Sequence, residues 1–197
     1  MKFIFALTAL LIFSGCASTP KIAKDEFEII EINPNKWTSY TKQSLEQLQS
    51  VYDLSSILVT NKIFIQSKTA PKPFPQLTLN TRFAQNPNKL LSLLVHAELY
   101  WWERKERVKF DKARLALSKS YPKLEKNKLT LLLICYLEFE ALDHYLGKKE
   151  AINTIRSKIK EDKAYPWYYE EVLTRGKRFE KIVEDHNLSP IYDFKIL

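Results

Sequence analysis

LLLICYLEFEALDHYLG, residues 131–147, is dominated by apolar and aromatic side chains. With Lys128, Leu129 and Thr130 ahead of it, the segment is apolar nearly all round in its first half. A helix of that kind needs neighbours on every side, so residues 128–146 are expected to form the central buried helix. Gly147 then supplies the usual C-terminal stop. Cys135, inside the run, reads as a buried structural thiol in surroundings too apolar for a nucleophile.

The neighbours that would cover this helix lie on both sides of it in the sequence. Residues 149–162 and 166–185 predict two more helices, the second opened by Pro166. Upstream, Asn86 caps and Pro87 starts a helix running to about residue 109, with Leu90, Leu93, Leu94 and Ala97 at helical spacing. Residues 112–121 predict a separate helix ended by Pro122. The first part of the chain differs in character. FEIIEI (27–32), ILVTNKIFIQ (57–66, with a turn at Asn61) and QLTLNTRF (76–83) read as strands. Between them lie a helix expected over 41–52, with its stripe at Leu45, Leu48, Val51 and Tyr52, and a loop over 68–75 whose three prolines predict exposure. The expected fold is α+β: a small N-terminal β layer packed on a helical majority, one domain over 26–197, without internal repeats.

Composition narrows the chemistry. Of 197 residues, 45% are hydrophobic and 27% charged, as in a globular chain. Only 3 glycines occur, which argues against phosphate-cradling loops and dinucleotide folds. The 2 cysteines, Cys16 and Cys135, do not suggest a disulfide framework. The net charge of +8 suits an anionic membrane surface or acidic polymer. Yet Arg104, Lys105, Arg107, Lys109, Lys112 and Arg114 are scattered, and most of these basic positions alternate with acids. They read as a solvated helix face, and no nucleic-acid module is recognisable.

The N-terminal stretch MKFIFALTALLIFSGC, residues 1–16, has Lys2 as a short positive region, an apolar run from Phe3 to Phe13, and Ser14 and Gly15 before Cys16. That order is the grammar of a secretory signal. A cysteine directly after the small residues resembles the lipobox of bacterial lipoproteins. The resemblance implies a signal peptide over 1–15, a lipidated Cys16 as mature N-terminus and a polar tether over 16–25. Ala17 in place of Asp implies sorting to the outer membrane, periplasmic face. The expected partner there is the lipid bilayer, held through two acyl chains on Cys16. The apolar run is well short of the ~20 residues of a spanning helix.

The candidate site is LLVHAELYWW, residues 93–102. A zincin helix presents His-Glu-x-x-His, two imidazoles one turn apart, with the glutamate polarising metal-bound water. Aligned on His96, the chain reads His96-Ala97-Glu98-Leu99-Tyr100: the base position holds Ala97 and the second ligand position holds Tyr100. Glu98 lies about 200° round the helix from His96 and cannot replace the base. Glu103 shares a face with His96 but sits about 10 Å along the axis, too far to share one ion. The helix start at Asn86-Pro87, the apolar run before His96 and Trp101 after it resemble a metallopeptidase helix of zincin-like bacterial proteins, over roughly residues 55–190. In that resemblance Glu138, about forty residues on, matches the acidic third ligand of a later helix. His96 and Glu138 are then the weak metal candidates, with zinc the ion implied. The favoured expectation is a hydrogen-bonded, partly buried His96–Tyr100 pair with Glu138 as third member.

Other groups are less promising. Glu140 and His144, four apart, suit a surface salt bridge. His186 is expected to be exposed, and only one of Trp101 and Trp102 need be core. The aromatics of 165–169 suit core packing or an exposed ledge for a partner. Together these residues predict a membrane-anchored envelope lipoprotein with a zincin-like domain that binds or scaffolds and does not hydrolyse. It needs no cofactor, has no catalytic residue, and takes a protein or peptide partner, not nucleic acid. Two alternatives stand beside it: a metal-dependent peptidase or hydrolase with an atypical site, and a structural accessory lipoprotein of an envelope complex.

Overall fold

The computed structural model describes residues 27–161 and 165–191. The signal segment, Cys16 and the tether lie outside the described residues. Strands β1 (Glu28–Ile32) and β2 (Lys62–Gln66) pair in parallel, with Ile30 opposite Phe64. Parallel strands need a crossover, and α1 (Lys36–Val51) provides it. A third strand, β3 (Thr78–Leu79), pairs in parallel with the other edge of β2, giving the order β1-β2-β3. Ile63 and Ile65 turn fully into the core, with Phe64 half-buried between them.

The β layer is smaller than its sequence predicts. Within 57–66 only the second half is strand, and within 76–83 only two residues are. Helix α1 starts five residues earlier than the stripe suggests. Asn35 accepts from the Trp37 and Thr38 amides, and Thr38 returns a bond to the Asn35 N–H, a reciprocal cap. Val51, expected on the inner stripe, is 60% exposed at its end. The proline loop is no loose excursion either. Lys72 exchanges two backbone bonds with Thr78, and the Pro73 carbonyl accepts from Trp101 Nε1 at 2.7 Å, so the loop is tied down as a wall.

Helices α2 (Pro87–Lys105), α3 (Arg107–Ser118), α4 (Lys126–Leu146), α5 (Lys148–Glu161) and α6 (Pro166–Asp185) complete the α+β architecture. The first break falls at Glu106, about three residues before the expected end of the helix. Here α3 needs a new phase to bury Phe110, Ala113, Arg114 and Leu117. Helix α4 packs against α2, α3, α5 and α6, and Leu132, Leu133, Ile134 and Cys135 on its first half are fully buried, as its composition demands. Gly147, at φ 78°, ends it. Helix α6 is interrupted at Arg175, whose φ and ψ of −118° and 27° are not helical. Among the described residues no helix is long and apolar enough to cross a membrane.

Candidate functional site

Residues four apart share one face of a helix, and on α2 this brings Ser92 and His96 together toward α4. There they meet Glu138, which is completely buried. His96 Nδ1 lies 2.7 Å from Glu138 Oε2, and Ser92 Oγ donates to Oε1. Two further elements close on the same carboxylate. Lys158 of α5 places its Nζ 2.5 Å from Oε1, and Tyr169 of α6 donates from its hydroxyl to Oε2 at 2.6 Å.

The donor count closes on both sides. A carboxylate has about four lone-pair positions, and Glu138 accepts from Lys158 and Ser92 on one oxygen and from Tyr169 and His96 on the other. An ammonium has three donors, and Lys158 directs them to Glu138 Oε1, Ser92 Oγ at 2.8 Å and Tyr169 Oη at 2.7 Å. Burial pushes the Glu138 carboxyl up, but the Lys158 ammonium and His96 outweigh it and hold the group at about 2. An ionised carboxylate only accepts, so His96 Nδ1 carries the hydrogen in this pair. Nε2 is then the ring nitrogen left for an occupant of the adjoining space.

That space is a cleft of about 510 Å³, bounded by His96, Tyr100, Phe83, Tyr165 and the proline loop. Two larger hollows are present: one of about 780 Å³ between α4 and α6, and one of about 830 Å³ lined by Glu103, Arg114 and the start of α4, which shares Tyr100 with the cleft. Tyr100 stands in the cleft wall and does not bond to Glu138. Its ring meets that of His96 edge-on, with centroids 5.5 Å apart, so the expected hydrogen-bonded pair is a ring contact. Burial raises the Tyr100 phenol well above its usual range, which keeps it protonated.

Glu98 points away from His96, buried against the loop after α1, where it accepts from the Val59 and Thr60 amides and the Thr60 hydroxyl. Glu103 and Asp111 both accept from Arg114, which is 4% exposed, so Arg114 does not belong to the solvated face expected of it. Glu140 accepts from Tyr136, and His144 packs on Tyr145, so these two form no bridge of the kind expected. His186 is half-buried at the end of α6. Of the tryptophans, Trp102 is core and donates to the Leu188 carbonyl.

Sequence reasoning missed Lys158, Ser92 and Tyr169. A signal for the lysine was present: Ala151, Thr154, Ile155 and Lys158 form the inward stripe of an otherwise polar helix, so this charge sits where an apolar residue belongs. The described residues contain no group of three or more His, Cys, Asp or Glu side chains placed to hold a metal. No family model, no curated protein and no solved structure matches this chain.

Proposed function

We propose that this chain is a lipid-anchored protein of the bacterial envelope, with a zincin-like domain whose cleft binds without hydrolysing. The anchoring half rests on the leader and Cys16. The zincin half rests on order and meeting: a β layer, then a helix bearing His96, then a later helix whose Glu138 reaches that histidine. The observation that carries the non-hydrolytic half is the Lys158 ammonium bound to Glu138. A zinc ion would need lone pairs that four donors already occupy, and a second nitrogen where Tyr100 stands as a protonated phenol. The residues do not fit the metal. An internal cation balances the carboxylate in its place.

Metal analysis of protein purified without chelator tests this. No stoichiometric zinc is expected, and zinc that is lost in His96→Ala would overturn it. Restoring the motif sharpens the test. Ala97→Glu with Tyr100→His should still fail to bind zinc while Lys158 remains, and adding Lys158→Met should create the site. A folded triple variant that takes no zinc removes the zincin-like reading. For the anchor, mass spectrometry of the mature N-terminus should find acyl chains on Cys16, and none in Cys16→Ala.

A further inference from the structure

We infer that the cleft over His96 takes a small organic anion with an apolar or aromatic body, held by Arg82 at the mouth, and not an extended peptide. This rests on the proposal that the cleft is a binding site and names what occupies it. The charge balance comes first. Inside, Glu138 is matched by Lys158. At the mouth one carboxylate, Glu161, is shared by two cations: Lys89 bonds to it at 2.5 Å, while Arg82 reaches only its backbone carbonyl, at 3.1 Å. Among the described residues lining the space, one positive charge is therefore left over, on a guanidinium that lies over the Phe83 ring at 5.1 Å. A guanidinium has five N–H donors in a fork suited to a carboxylate, and the carbonyl uses one of them.

The walls set the rest of the ligand. Phe83, Leu93, Ala97, Tyr100 and Tyr165 are apolar or aromatic surfaces, and about 510 Å³ suits a small molecule. An extended peptide would need an edge strand to pair with. The wall that would serve has prolines at 71 and 73, which carry no N–H. Between them, the Lys72 N–H and C=O are both committed to Thr78, at 2.9 and 2.8 Å, and the Pro73 carbonyl to Trp101. No donor along 71–73 is left to hold a second chain. Along this wall side chains alone can hold the occupant, which favours a compact body with one charged end.

The experiment uses the full chain in a neutral detergent, with 1-naphthoate and its uncharged isostere 1-naphthamide as probes in equilibrium dialysis. Naphthoate should bind saturably, one molecule per chain, and the amide about tenfold or more weaker, the worth of a charge-assisted hydrogen bond. Arg82→Met should remove that preference by weakening naphthoate alone. Leu93→Trp, which fills the cleft, should abolish both. Equal binding of the two probes, unchanged naphthoate binding in Arg82→Met, or an unstructured peptide that displaces naphthoate competitively would each overturn the inference. So would the absence of any binding by a chain whose thermal unfolding shows it folded. None of these results bears on zinc, so the non-hydrolytic reading fails or survives separately.

Discussion

Two glutamates in this molecule are each completely buried, yet their carboxyls are shifted in opposite directions. Glu98 faces the β layer from α2 and receives two amide N–H groups and one hydroxyl, but no cation. Burial wins there, and its carboxyl is raised despite those bonds. Glu138 faces the cleft from α4. It receives hydroxyls too, but also an ammonium, and its carboxyl is lowered. Neutral donors satisfy the geometry of a buried carboxylate without covering the cost of its charge; an ammonium at contact distance does. The first site staples a loop to a helix, whereas the second holds a fixed charge pair beneath a cleft.

The largest test of that contrast is Lys158→Met, which strands an uncompensated buried carboxylate and should cost about 3–5 kcal/mol in urea unfolding. Pairing it with Glu138→Met should recover most of that loss, because an apolar pair replaces an ion pair. If the single variant costs no more than Glu98→Gln, the ammonium is not what separates the two sites. Glu98→Gln itself should cost about 1–3 kcal/mol, the price of a mismatched donor at a buried bond.

The pH dependences should run in opposite directions. Glu138 is depressed when folded, so its contribution is whole above the ordinary carboxylate range and is lost as pH falls through about 2. Glu98 is raised when folded, so its contribution is whole below that range and shrinks as pH rises through its raised value. Unfolding curves should show Glu138→Gln costing more at neutral pH than at about pH 3, and Glu98→Gln costing more at about pH 4 than at neutral pH. Parallel slopes would mean that the two buried carboxylates are not shifted in opposite directions. The smallest effect belongs to a carboxylate paired in water: Glu28 meets Lys62 at 2.8 Å with both side chains more than half exposed, and Glu28→Gln should cost under about 0.5 kcal/mol.

The helical half was largely legible because burial there follows period. The apolar run of α4, Gly147 and Pro166 mark their elements by composition and by backbone restriction. The β layer was harder to read. Leu58, Val59 and Thr60 have strand composition, but two of their amides go to the Glu98 carboxylate instead of a neighbouring strand. That choice depends on a side chain nearly forty residues away, which no local pattern reveals. The site was half legible for the same reason. His96 and Glu138 followed from the motif and its flanks, whereas Lys158 and Arg114 looked like surface charges because their type outweighed their position. Each lies on the apolar stripe of its helix, and position was the better guide.

Helix α2 is bonded on several sides of its circumference: His96 to α4, Glu98 to the loop after α1, Trp101 to the proline loop and Trp102 to the Leu188 carbonyl. A rod gripped in so many directions cannot roll about its axis, and every cleft wall built on it keeps its shape when empty. An occupant would enter a finished mould. Its arrival should be limited by diffusion and fit, with no slow closing step and little change in the protein's own ordering.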